Sequence, residues 1–273
     1  MDKQMEKRAW PRVRGVISDL DGVVYRGKQA IEESIEAFQG WRRLGVPFCF
    51  VTNNSTHTEA DVVAKLADMG LQIAPQEVVT SAAETARLLR IMWPEGARVY
   101  VIGAESLRNA IAGAGMDITD RSPAGVVMGL DRAISHEKMR LAVQAILDGA
   151  ILIGTNPDLL LPMARGFEPG AGAQLTAVAM AAGVTPVIVG KPETHMIEAA
   201  LARLGTARSE TIMIGDQIPT DIQAGKRAGL CSVLVTTGVP AVADAALLPP
   251  DFVVRSLLDV PVFNENSLGA SHG

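Results

Sequence analysis

The chain has 273 residues, 48% of them hydrophobic and 20% charged, with a formal net charge of −5. That length can bury one large core or two, and the acidic balance argues against a general binder of nucleic acid or anionic membrane while leaving room for a basic pocket that takes one small anion. No stretch approaches the roughly 18 apolar residues of a membrane span, and the charged residues 1–14 are not followed by a signal-type apolar segment, so a cytoplasmic protein with a small-molecule partner, no nucleic acid and no membrane is expected.

The first informative segment is Val16-Ile17-Ser18-Asp19-Leu20-Asp21-Gly22, an apolar run that ends in two carboxylates one residue apart. Val16 and Ile17 suit the interior of a parallel sheet. Gly22 allows a sharp turn once the strand has delivered Asp19 and Asp21 to its carboxyl end, the edge at which open α/β sheets bind ligands. Residues 31–44 then read as a helix stopped by Gly45, 46–51 as a strand, and 60–69 as a helix stopped by Gly70. After a helix over 82–92 and the Trp93-Pro94-Glu95-Gly96 punctuation, a second series follows: strand 98–102, helix 106–112, strand 125–128, helix 137–147 and strand 150–153. Residues 186–189, 211–214 and 232–235 resemble the first strands again, apolar and ending in Gly, Asp, Thr or Lys. The class is α/β, read as a doubly wound, mostly parallel core over 1–81 and 183–273 interrupted by an inserted α/β unit over 82–182. A single larger sheet would give similar strings; the strand ends favour the interruption, because core strands end in reactive residues and most inserted ones do not. Cys49 and Cys231 sit in strand-like apolar runs and are expected to be reduced core residues. His57, His136, His195 and His272 lack the spacing of a transition-metal site.

Four strand ends carry the chemistry: Asp19 with Asp21, Thr52-Asn53-Asn54-Ser55, Gly190-Lys191-Pro192, and Gly215-Asp216 followed by Thr220-Asp221. In one parallel sheet all four fall on one edge. A carboxylate there can attack a phosphate, but the repulsion between the two demands cations. Asp19, Asp216 and a dianionic phosphate total about −4, which one Mg²⁺ and the Lys191 ammonium bring to about −1. Asp19, Asp216 and a backbone carbonyl near Asp21 suit Mg²⁺, while the Thr52 hydroxyl and the Asn53 backbone N–H suit the equatorial phosphate oxygens. Asp21 is then the group that gives a proton to the leaving oxygen and later takes one from water. Crowding by neighbouring carboxylates raises its proton affinity and Mg²⁺ opposes that, with the balance left open by sequence. Taken singly, Asp19 and Asp21 could be turn or helix-cap carboxylates and Lys191 a solvated lysine before a helix-opening Pro192. The Gly170-Ala171-Gly172-Ala173 stretch lacks a preceding strand and a third glycine, and reads as a turn opening a helix instead of a dinucleotide loop.

Together, and in this order, the motifs Asp19-Leu20-Asp21-Gly22, Thr52-Asn53-Asn54, Lys191 and Gly215-Asp216 through Thr220-Asp221 resemble those of the haloacid dehalogenase superfamily of aspartate-nucleophile phosphatases, over residues 14–260. The Val23-Val24-Tyr25 continuation and the Gly154-Thr155-Asn156-Pro157-Asp158 segment look like the branch with a type IIA cap. The resemblance implies a Rossmann-like core, an α/β cap inserted between the second and third motifs, and Mg²⁺ dependence. It also implies that Asp221 orients metal-bound water or Lys191, and that Asn54, Asn156, Asp158, Arg165 and Gly170 are substrate-facing. Related proteins dimerise through the cap, which makes a homodimer a further expectation. The expected activity is hydrolysis of a small phosphate monoester through an aspartyl-phosphate. The alternatives are a phosphotransferase or mutase, and a phospho-accepting regulatory module with little turnover. A dehalogenase has no use for a proton donor at Asp21.

Overall fold

The computed structural model describes residues 9–162, 166–238 and 246–262. Its first layer is a six-stranded parallel sheet in the spatial order Phe252–Val254, Cys231–Val235, Thr211–Gly215, Gly15–Ser18, Phe48–Thr52, Val78–Thr80. Gly15–Ser18 lies in the middle and is buried along its whole length, as the near-continuous apolar run requires. The chain order reverses on either side of it, with Ile17 in register with both Cys49 and Met213. Asp19, Thr52 and Asp216 therefore reach the same edge, at the switch point where such sheets open a crevice.

Both faces of this sheet are covered. On one, the helix Glu32–Arg43 buries Ile35, Ala37, Phe38 and Trp41. The Phe38 ring meets Trp41 at 4.8 Å, Phe48 at 5.0 Å and Phe50 at 4.8 Å between centroids, an aromatic cluster of the edge-on and tilted kind that adds to simple burial. The helix Glu59–Asp68 shares that face and begins with a capping box, Thr58 accepting from the Asp61 N–H while the Asp61 carboxylate accepts from the Thr58 N–H. On the other face, His195–Leu204 buries Met196, Ile197, Ala200 and Leu201 against Ile17, Cys49 and Met213. Neither cysteine is in a disulfide, and burial pushes the Cys49 thiol up to about 12.

The second layer is a five-stranded parallel sheet in the order Val187–Ile188, Ile151–Gly154, Gly125–Met128, Arg98–Ile102, Asp117–Ile118. The helices Ser81–Met92 and Glu105–Gly113 pack on one face, and His136–Leu147 and Ala171–Ala182 on the other. An antiparallel hairpin of Leu160–Pro162 with Phe167–Pro169 stands beside it.

One expectation is corrected here. The apolar pattern of residues 186–189 puts them in the same sheet as Gly15–Ser18, but Val187–Ile188 pairs with Ile153 and Gly154 in the second sheet. The strand is two residues long and lies at the edge. The Val189 N–H donates to Gly154 O and the Gly190 N–H to Thr155 O, so it is bound to the second layer up to the residue before Lys191. The second sheet thus takes in residues beyond 182, and the four reactive strand ends do not share one sheet. Among the described residues no helix is long and apolar enough to cross a membrane.

Candidate active site

Asp19 continues the central strand, its N–H donating to Ile214 O at 2.9 Å, and only 7% of its surface is exposed. Gly22 turns the chain back with φ at +79°, and a Cβ there would collide with the Asp216 carboxylate. Both the backbone angle and the close approach therefore require glycine at this position. Asp216 follows the Thr211–Gly215 strand directly, and Asp221 comes from the single π-helical turn Ile218–Ile222, where its carboxylate accepts from the Gln217 N–H at 3.0 Å. A Cβ on Gly215 would occupy the space of the Asp221 side chain. Carboxylate oxygens of Asp19, Asp216 and Asp221 all lie within 4.8 Å of one another.

Lys191 enters this cluster from the other sheet. Its ammonium donates to Asp19 Oδ1 at 2.5 Å, to Asp221 Oδ1 at 2.7 Å and to Val51 O at 3.1 Å. At 2% exposure the ammonium is screened by protein and not by water. Burial weakens the hold of Lys191 on its proton, yet Asp19 and Asp221 outweigh it and keep the pKa above the usual lysine value. Asp19 is also raised well above the carboxylate range, by burial first, with Asp221 and Asp216 adding and Lys191 opposing. The causes differ: burial is the larger influence on Asp19, whereas for Lys191 the neighbouring acids overcome burial.

Asp21 stands at the mouth of the crevice, still open to solvent, with Oδ2 accepting from the Tyr25 hydroxyl at 3.3 Å. The surrounding protein pushes its pKa upward, opposed by Lys65, by the Tyr25 hydrogen bond and by Lys191. Burial and the same two carboxylates, Asp21 and Asp19, lift the Tyr25 phenol well above its ordinary value. Thr52 is buried, its oxygen accepting from the Asn54 N–H at 3.1 Å, which leaves the hydroxyl proton to donate.

Asn53 does more than the sequence suggests. Its Oδ1 accepts from the Lys191 N–H at 2.8 Å and its Nδ2 donates to Lys191 O at 3.0 Å, so one side chain grips both polar atoms of the Lys191 main chain. The same Nδ2 reaches Asp158 Oδ1 at 3.2 Å and Oδ2 at 3.1 Å. The Asn53 carbonyl in turn accepts from Asn156 Nδ2 and from Ser81 Oγ, each at 2.7 Å. Ser55 and Thr155 lie in segments already singled out in the sequence, but nothing there marks Ser81; all three join the layers through buried hydroxyls.

The residues expected to face substrate divide in the structure. Asn156 is buried and its amide is engaged with Asn53 O, Thr155 Oγ1 and the Asp158 N–H, which makes it a tie between layers. Asn54 is exposed, with its Oδ1 closing a local turn on Thr56. Asp158 lies part-buried beside Asn53, and burial pushes its pKa up to about 6 against the opposing pull of the Asn53 hydrogen bond and Lys191. Gly170 is buried at the start of Ala171–Ala182, where a Cβ would strike the Asp158 carbonyl. Arg165 lies outside the described residues.

This arrangement matches known proteins along most of the chain. Residues 16–117 fit the model of the haloacid dehalogenase-like hydrolases, and 188–260 fit a second model of the same kind, HAD-hydrolase-like. The 5'-nucleotidase YutF of Bacillus subtilis is 41% identical over 226 residues, 83% of this chain and 88% of that protein. The chain belongs to the haloacid dehalogenase-like hydrolases. Within that family it is an enzyme of the type IIA phosphatase branch. A single mutant of the thermostable NPPase from Geobacillus stearothermophilus superimposes with a TM-score of 0.86 at 39% identity, covering 93% of this chain and all of that one. The glycerol phosphate phosphatase Rv1692 of Mycobacterium tuberculosis, solved with magnesium, superimposes with a TM-score of 0.83 at 32% identity over 90% of this chain and 76% of that one.

The acidic cluster of this haloacid dehalogenase-like hydrolase suits a divalent ion on two grounds. Its donors are hard carboxylate oxygens, and its excess of two negative charges equals the charge that such an ion brings.

Proposed function

We propose that this chain is a Mg²⁺-dependent phosphomonoester hydrolase that works on a small phosphorylated metabolite through an aspartyl-phosphate on Asp19. The observation that supports it most directly is the Lys191 ammonium bridging Asp19 and Asp221 beside Asp216 at the edge of the central strand. Asp19 and Asp216, with the Asp21 backbone carbonyl, are the residues that would hold Mg²⁺. The ion would supply positive charge to the substrate oxyanion and so permit one anion to approach another.

In the first step a carboxylate oxygen of Asp19 forms a bond to phosphorus as the bond to the leaving oxygen breaks, and Asp21 gives that oxygen its proton. In the second, Asp21 takes a proton from water, whose oxygen attacks phosphorus and releases Asp19. The Thr52 hydroxyl and the Asn53 N–H receive the equatorial oxygens, and Lys191, held by Asp221, limits the build-up of negative charge. The raised pKa of Asp21 is the direction a proton donor needs near neutral pH. The second layer, residues 82–182 together with the edge strand Val187–Ile188, acts as the cap that closes over substrate, with Asp158 beside the Asn53–Lys191 grip as the polar group that substrate meets.

The test is turnover of p-nitrophenyl phosphate by purified protein with Mg²⁺. Asp19→Asn is expected to lose at least about a thousandfold in kcat, because the nucleophile is gone. A folded, metal-loaded Asp19→Asn protein that works at the parent rate would end the proposal. Product analysis with excess acceptor alcohol separates hydrolysis from transfer, and the lifetime of the phospho-aspartate separates an enzyme from a signalling module.

A further inference from the structure

Beyond the side chains already placed in the reaction, a further pair bears on it through Asp21. Tyr25 opens the short hairpin of Tyr25–Arg26 with Gln29–Ala30, just after the Gly22 turn. Its ring is buried, and its hydroxyl donates to Asp21 Oδ2. Over that ring stands Lys65 of the helix Glu59–Asp68, its ammonium 3.3 Å from the centroid, well inside the roughly 6 Å reach of a cation–π contact. Lys65 is part-buried there, at a cost in hydration that an ordinary surface lysine does not bear. A hairpin and a helix that are otherwise far apart in sequence thus converge on one carboxyl group.

The geometry points to Tyr25 and Lys65 as positioning residues for Asp21, fixing which of its two oxygens faces the departing alcohol. The Tyr25 hydroxyl occupies Oδ2, so Oδ1 is the oxygen that carries the proton toward the leaving group. Lys65 pins the Tyr25 ring in the orientation from which its hydroxyl reaches Oδ2. The inference rests on the acid–base reading of Asp21 given above. As the bond between phosphorus and the leaving oxygen breaks, the proton moves from Asp21 Oδ1 to that oxygen. As water attacks, a proton returns to Oδ1. Tyr25 keeps its own proton in both steps.

A pair that only packs would damage all substrates alike, whereas a pair that aims a proton donor matters in proportion to how much the leaving group needs that proton. The measurement is kcat/KM, which reports events up to departure of the leaving group, for a series from p-nitrophenyl phosphate to glycerol phosphate. The phenolate of the first leaves with little help and the alkoxide of the second does not. The proteins are the parent, Tyr25→Phe, Lys65→Met, Lys65→Arg and Asp21→Asn, each with Mg²⁺. Tyr25→Phe and Lys65→Met are expected to lose about tenfold or more on glycerol phosphate and less than about threefold on p-nitrophenyl phosphate, a part of the about 10²–10⁴ that general acid catalysis supplies. Lys65→Arg, which keeps the cation, is expected to restore the parent pattern.

A uniform loss across the series, or none, overturns the inference, and Lys65→Met decides alone if Tyr25→Phe does not fold. If Asp21→Asn steepens the leaving-group dependence and the Tyr25 and Lys65 variants do not, the inference fails by itself. If Asp21→Asn gives no steepening, the acid role of Asp21 fails and takes the inference with it.

Discussion

Asp158 holds a carboxyl group whose pKa is pushed from 3.8 to about 6, chiefly because the fold buries it. A carboxyl raised in the folded state contributes stability that is complete below the unfolded value and lost as pH climbs through the folded one. Between about pH 4 and pH 6 the protein therefore loses stability, because the unfolded chain ionises at Asp158 while the folded one must keep the proton. Asp158→Asn keeps an acceptor for the Asn53 amide and removes the titration. In chelator without phosphate, denaturant unfolding is expected to show the variant gaining on the parent across that window by on the order of 1–3 kcal/mol. Two curves that run parallel from about pH 4 to pH 7 would show that Asp158 is not the group responsible.

Among the elements, the two-residue strand Val187–Ile188 matters far beyond its length, because it carries Lys191 to the acids of the other sheet. Gly190, between strand and lysine, has no room for a Cβ: it would strike Asn53 Oδ1 and the Thr155 carbonyl. Gly190→Ala is expected to shift Lys191, to lower kcat at least about tenfold and to lower Tm by several degrees, read by turnover below the transition alongside thermal unfolding. Unchanged kcat would mean that the Lys191 ammonium does not depend on this passage.

The same element shows what a sequence can and cannot reveal. The long apolar strands and the helices ending at Gly45 and Gly70 are legible, because each carries its own period and its own stop. So are Asp19, Thr52, Lys191 and Asp216, each marked by an apolar run before it. Sheet membership of Val187–Ile188 is not, because a parallel strand of either sheet is apolar and ends in the same way. The edge strands Val78–Thr80 and Phe252–Val254 leave no mark either, being three residues long with no alternation to detect. The grip of Asn53 on Lys191 spans 138 residues of chain, and no local pattern encodes a contact at that separation.

Taken whole, the molecule places its acids on one sheet and their balancing ammonium on the other, so the charge of the site is set by how the two layers meet. A divalent ion held, as proposed, by Asp19 and Asp216 would bind the folded form only, since the unfolded chain scatters these residues. Millimolar Mg²⁺ is expected to raise Tm by several degrees, a gain of about 2–3 kcal/mol at a hundred times Kd. In Asp216→Asn that rise is expected to vanish, and an equal rise in parent and variant would place the ion elsewhere.

The two hydrogen bonds between Asn53 and residue 191 use the main-chain N–H and C=O, which every residue except proline possesses. The address of position 191 is therefore written in a neighbour as well as in the contacts of the ammonium itself. Evolution can exchange the chemistry delivered to that address without rebuilding the road to it, and a chemist who removes the amine should find the doorway still standing.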